Sequence, residues 1–444
     1  MKRIYFSLIV SMLSVLVWGQ GEIVTVDGGK LQGVASQAQG VTVYKGIPYA
    51  APPVGNLRWK RPQPVSPWGG DKVADTFSSI SWQGGQQPGS FYWREFYQDE
   101  QPAMSEDCLY LNIWAPTASI NDKQAKLPVA FWVHGGGFIN GYGHEITMDG
   151  DEWVKRGVIL VTINYRLGLL GFLSHPELSS ESPDGVSGNY GTCDQIAALQ
   201  WVHDNIASFG GDPDNITVMG QSAGGASIKN LVISPLSRGL MKRAIIQSAG
   251  GLGRFVEPEG DNAAIDAKGK NLMDQAGMTS LEMLRNAKAE DIVKLMAWGF
   301  ASPHKDGLII QDTFEEATMN GHLADIDYMI GCTLDDLTPM NKQIDAFCYA
   351  RDSISTHPVY QYLFARKLPG SKDGAFHSAE LWYMFHTLNR SWRPFAKADY
   401  RLADEMMDYW TNFAKYGNPN GKGKEETWPA FTLENPFIKT LNIR

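Results

Sequence analysis

The chain has 444 residues, 43% hydrophobic and 20% charged, with 39 Lys+Arg against 48 Asp+Glu and a formal net charge of −9. That length buries a large core, and an acidic chain with a pI near 5.5 and no Lys/Arg cluster lacks the footprint of a nucleic-acid partner. A prior of about 150 residues per domain suggests two or three domains, but no repeat, low-complexity tract or linker divides the sequence, so one continuous domain is expected.

Residues 1–20 carry Lys2 and Arg3, an apolar stretch over 4–18, then Gly19 and Gln20. A charged start, a short apolar middle and a small-residue exit make a secretory signal peptide. Cleavage near 19–21 would leave 21–444 as a secreted or periplasmic domain. No cysteine follows the leader, so no lipid anchor is expected, and no later segment could span a bilayer. Four cysteines in an exported chain allow two disulfides or four buried free thiols, and spacing does not choose between them.

Residues 23–45 hold alternating and β-branched runs between glycine turns, predicting a small N-terminal antiparallel sheet. A proline-rich loop follows over 44–58. The segment 84–101 reads as a loop, and its Phe91, Tyr92, Trp93, Phe96 and Tyr97 are expected to pack down locally, with a substrate rim as the alternative. Residues 129–133 and 158–163 are continuous apolar runs, as in parallel strands covered on both faces. The first ends in His134-Gly135-Gly136-Gly137-Phe138, where three glycines free backbone amides to approach a ligand.

An amphipathic helix with an acidic start is expected over 194–206, and a turn over 210–213. Then a β-branched run enters Gly220-Gln221-Ser222-Ala223-Gly224, a strand-to-helix turn that thrusts a serine hydroxyl out at a helix N-terminus. Strands are predicted at 244–247, 328–331 and 359–364, helix over 262–298, and a terminal helix over 398–415. Alternating strands and helices mean an α/β fold, a mostly parallel sheet flanked by helices, with helical cap-like segments near 253–325 and 366–397.

Ligands in such folds sit at the carboxyl ends of strands, and the glycine loop, Ser222, the Asp335-Asp336 pair and His377 each follow one. A serine hydroxyl needs a histidine base, and the histidine needs an orienting carboxylate. The order serine, acid, histidine suits this architecture. Ser222, Asp336 and His377 satisfy it, and Asp335 is the neighbouring alternative for the acid. No grouping has metal-ligand spacing, so no metal or cofactor is expected.

These motifs together resemble the type B carboxylesterases, α/β-hydrolases that include bacterial para-nitrobenzyl esterases, feruloyl esterases and cholinesterases. Tyr44-Lys45-Gly46-Ile47-Pro48-Tyr49-Ala50, Ser105-Glu106-Asp107-Cys108 and Asn164-Tyr165-Arg166 match, as do 134–138, 209–213, 220–225, 374–381 and 418–421, so the likeness runs through nearly the whole mature chain. It implies Ser222 as nucleophile, His377 as base, an acid at Asp336, and an oxyanion hole from the amides of Gly136, Gly137 and Ala223, with His134 shaping that loop. Gln221 stands where relatives often have glutamate, and the position at which cholinesterases carry a tryptophan to hold a quaternary ammonium falls near Gln98; both argue against choline esters. The family's cysteine partner for Cys108 is missing near Ser81 or Trp82. The implied function is hydrolysis of a small-molecule ester through an acyl-enzyme, with hydroxycinnamoyl esters preferred and short-chain acyl esters next. The alternatives are a silent binding or adhesion protein on the same fold, or an amide or thioester hydrolase using the same triad.

Overall fold

The computed structural model describes residues 20–97, 101–253, 261–295, 302–370, 372–423 and 427–443. The leader, except Gln20, and Gln98 lie outside the described residues. The strands are β1 (Gln20–Val26), β2 (Gly29–Ala35), β3 (Val41–Pro48), β4 (Asp71–Val73), β5 (Ile80–Ser81), β6 (Met104–Ser105), β7 (Tyr110–Pro116), β8 (Leu127–Val133), β9 (Ile159–Ile163), β10 (Gly211–Gln221), β11 (Arg243–Gln247), β12 (Asp327–Thr333), β13 (Val359–Phe364) and β14 (Ile438–Leu441). Twelve of them form one sheet in the order β1-β2-β3-β7-β9-β8-β10-β11-β12-β13-β14, with β4 beside β2.

Neighbours from β9 to β14 are parallel, and those from β1 to β9 are antiparallel. The N-terminal strands are therefore an extension of the central sheet, not a small sheet of their own. The link is β3, which pairs with β2 on one edge and β7 on the other and is covered on both faces along nearly its whole length.

The period of two along β8 divides the core. Val129, Phe131 and Val133 face Leu199, Val202, Ile228 and Leu231 of the helices Tyr190–Asn205 and Ala223–Ile233. Ala130 and Trp132 face Met406, Met407, Trp410 and Phe413 of the helix Lys397–Tyr416. Helices thus cover both faces, which is why this strand reads as an unbroken apolar run.

Several boundaries differ from expectation. The helix predicted from 194 starts at Tyr190, because Asp194 is no N-terminal acid: it is fully buried and accepts from Arg166 Nη2 at 2.7 Å and Nε at 2.8 Å. Gly210 does turn the chain, with φ 83, but Gly211 already pairs with Leu127, so β10 absorbs 211–213. The helix over 262–298 divides into Asn262–Gln275, Leu281–Asn286 and Ala289–Lys294. Gly277 at φ 76 and Ser280, which caps Met283 N–H, break it; Trp298 lies outside the described residues.

Within the predicted loop at 84–101, Phe91–Phe96 is a helix whose first turn is capped by Ser90 at 3.3 Å from Trp93 N. β14 was not anticipated, since Lys439 and Thr440 dilute a four-residue edge strand. All four cysteines are free and buried, the second of the two arrangements the sequence left open. Burial pushes the thiols of Cys108, Cys193 and Cys332 up to about 12. Among the described residues no helix is long and apolar enough to cross a membrane.

Candidate active site

Ser222 sits between β10 and the helix Ala223–Ile233 with φ 59 and ψ −125, a backbone state costly for a side-chain-bearing residue. It is held there by Ser222 N–H donating to Gln247 O at 2.8 Å and by Ala226 N–H donating to Ser222 O at 2.9 Å. The crossing is close: a Cβ on Gly220 would lie 2.5 Å from Gly224 C, and one on Gly224 would lie 2.1 Å from Val133 O. Both glycines are therefore steric necessities of the turn.

β8 delivers the glycine loop beside that serine. Gly136, Gly137 and Phe138 have φ of 102, 65 and 62, a left-handed run that begins with glycines because they adopt it freely. Among the described residues no hydrogen bond engages the Gly136 or Gly137 N–H, and Ala223 N–H opens the helix, where it has no intrahelical acceptor. His134 is fully buried, stacks on Tyr165 at 4.4 Å, and its Nδ1 lies 2.8 Å from Gly135 O. Burial lowers its pKa to about 4, so it is a neutral wedge under the loop. Gln83 fixes the loop's far end, accepting from Gly141 N–H at 2.8 Å and donating to Gly141 O at 3.1 Å.

The two aspartates after β12 have different tasks. Asp335 Oδ2 accepts from Ala375 N–H at 2.8 Å, and its backbone bridges Phe376, pinning the chain just before His377. Asp336 Oδ1 is 2.6 Å from His377 Nδ1, with side-chain exposures of 2% and 6%. Asp336 Oδ2 accepts from Thr333 N–H and Oγ1 at 3.2 and 3.0 Å. Burial alone would raise the Asp336 carboxyl, but the hydrogen bond and charge of His377 outweigh it and hold it below the usual range. The structure thus brings Ser222, Asp336, His377 and the glycine loop to the carboxyl ends of adjoining strands.

The chain matches the model of the carboxylesterase family over residues 20–349 and 340–443. It is 34% identical to the para-nitrobenzyl esterase of Bacillus subtilis, over 93% of each chain. It is 32% identical to the fumonisin B1 esterase of Sphingopyxis macrogoltabida, over 91% of this chain and 84% of that one. This chain belongs to the carboxylesterase family. It is a carboxylic ester hydrolase with the α/β-hydrolase fold. A thermophilic para-nitrobenzyl esterase structure superposes at TM-score 0.81 and a Geobacillus stearothermophilus carboxylesterase at 0.80, each 30% identical and covering 95% of this chain and 96% of its own.

Two side chains of this carboxylesterase's candidate site have no role in the sequence motifs, and a third makes a contact those motifs do not show. Gln83 carries no motif; only its position in a glycine-rich segment hinted at a loop-to-loop tie. Glu380 follows His377 by three residues, at the cap of the helix Leu381–Met384, and is fully buried; burial, then the charge of Asp336, raises it to about 8. A carboxylate inside an otherwise apolar run was the available signal. For Gln221 the likeness implies only a lost charge, but its side-chain Nε2 contacts His377 Nε2 at 3.2 Å. The aromatic residues pack as expected: Phe91 meets Phe376 edge-on at 4.8 Å and Phe96 stacks on Trp382 at 5.8 Å.

Proposed function

We propose that Ser222 is the nucleophile, His377 the general base and Asp336 its orienting carboxylate, in an exported enzyme that cleaves esters in two steps through an acyl-enzyme. The observation that carries this reading is the buried 2.6 Å contact between His377 Nδ1 and Asp336 beside a serine held at φ 59. His377 Nδ1–H donating to Asp336 leaves Nε2 as the basic nitrogen. Ser222 Oγ attacks the ester carbonyl as Nε2 takes its proton; the amides of Gly136, Gly137 and Ala223 receive the oxyanion. The alcohol leaves with that proton, and water repeats the sequence on the acyl-enzyme.

Export rests on the charged start and apolar run of residues 1–20. The mature chain, 21–444, works as one domain, with segments near 253–325 and 366–397 serving as its cap. For the acyl group the reading is an aromatic acid of the hydroxycinnamate kind, ahead of short aliphatic acids. Its support is the position of the aromatic helix: Phe91 meets Phe376, the residue just before His377, edge-on at 4.8 Å.

The test is kcat/KM of purified residues 21–444 on methyl ferulate, methyl butyrate and methyl acetate, with Ser222→Ala as the blank. Serine-dependent turnover highest on the ferulate is expected. A higher value on either aliphatic ester overturns the acyl assignment, and turnover retained by Ser222→Ala overturns the mechanism.

A further inference from the structure

Gln221 ends β10 immediately before the serine and is 2% exposed. Its carboxamide bridges two parts of the site. Nε2 lies 3.2 Å from His377 Nε2, and Oε1 lies so close to Gly135 that a Cβ there would be 3.1 Å from it. With His377 Nδ1–H donating to Asp336, His377 Nε2 carries a lone pair, so the Gln221 N–H donates to it. That lone pair is the one that must accept the proton of Ser222. Among the described residues no hydrogen bond joins Ser222 Oγ to His377.

We propose that Gln221 is a positioning residue for the base: in the resting enzyme its amide occupies His377 Nε2, keeps the imidazole neutral and aimed at Ser222, and yields that nitrogen to the serine when substrate arrives. The inference rests on the triad proposed above. Its chemistry differs from that of a carboxylate at the same point. An N–H aimed at Nε2 stabilises the neutral ring, whereas a carboxylate can only accept from Nε2–H and so stabilises the imidazolium. A glutamine here should therefore let the base stay free of a proton at lower pH than a glutamate would. Among the described residues the other ionisable groups around the pair include Cys332 on β12, Asp335 and Asp336 just after it, Tyr362 on β13, Glu380 after the histidine and Tyr92 on the aromatic helix. The proposed substitutions leave all of them in place.

The experiment compares the intact mature enzyme with Gln221→Glu and Gln221→Leu. Two readouts are taken against pH: the rate of Ser222 labelling by a fluorophosphonate, and the ring resonances of His377 by NMR, assigned by subtraction with His377→Gln. In Gln221→Glu both titrations should move up by about one unit or more, the usual effect of an opposite charge at contact distance. Labelling at acidic pH then slows about tenfold relative to the variant's own rate at alkaline pH. Gln221→Leu should show a smaller upward move. Its ring nitrogen signal should also lose the signature of an accepted hydrogen bond at Nε2. Titrations of Gln221→Glu superimposable on wild type overturn the proposal. If wild type is never labelled while His377 still titrates differently in Gln221→Glu, the nucleophile assignment falls and the Gln221 contact stands.

Discussion

The buried ion pair beneath the aromatic helix gives the sharpest quantitative expectation. Glu95 and Arg393 are 1% and 0% exposed as side chains. Arg393 Nε donates to Glu95 Oε1 at 2.9 Å and Oε2 at 3.0 Å, and Nη2 donates to Oε2 at 2.8 Å. Trp382 Nε1–H adds a third donor at 2.8 Å. Glu95 thereby fastens the helix Phe91–Phe96 to the segment that follows His377. Glu95→Gln keeps the shape but leaves a guanidinium charge uncompensated in a dry site, a loss of about 3–5 kcal/mol. An unfolding entropy of about 2.1 cal/mol/K per residue gives about 0.9 kcal/mol/K for a chain of this length. The midpoint should then fall by about 3–6 °C, followed by tryptophan fluorescence at a fixed scan rate. Because the pair is buried, the drop should persist at about 0.5 M salt, where an exposed pair would be screened. Glu95→Leu combined with Arg393→Met should recover most of the loss, as both charges leave together. A shift below 1 °C, or a double variant as unstable as the two singles summed, refutes the reasoning.

Ser222→Ala should lower kcat by about 10⁴–10⁶-fold with little change in fold, measured by ester turnover and circular dichroism. Asp336→Asn should cost about 10⁴-fold in kcat by disturbing the tautomer of His377. Asp335→Asn, which keeps an acceptor for Ala375 N–H, should cost far less; equal losses would remove the distinction between the two aspartates. Glu380→Gln tests a pH dependence. The folded pKa of about 8 lies above the ordinary value of 4.5, so the contribution of neutral Glu380 is complete below about 4.5 and is lost as pH rises through 8. The variant should gain thermal stability over wild type progressively from pH 5 to 9, and a difference that does not vary with pH would contradict the burial argument.

How far the sequence could be read depends on the range of the interactions involved. The serine turn was legible because strain and close crossing leave local traces: glycines two residues either side of Ser222 and a β-branched run before it. The strands β8 and β9 were legible because burial on both faces removes polar residues altogether. Asp336 was favoured over Asp335 only by its place in the family motif, since adjacent identical side chains differ physically in which one meets a histidine 41 positions away. The contact of Gln221 with His377 spans 156 positions and has no local signature at all. Asp194 misled because an acid near a helix start usually serves the helix dipole, whereas here Arg166, 28 positions upstream, claims it. The helix at 91–96 was hidden by its length of six residues and by aromatic side chains of modest helix propensity.

The four thiols have a use beyond packing. They lie on separate elements: Cys108 before β7, Cys193 in the helix Tyr190–Asn205, Cys332 on β12 and Cys348 in the helix Asn341–Ile354. With no cross-link among them, maturation of this fold asks nothing of an oxidising compartment, and reductant should leave its stability unchanged. Each sulfur is shielded until its own neighbourhood opens. A thiol reagent applied to the native enzyme would therefore time the opening around each of four sulfurs, a set of clocks already built into the chain.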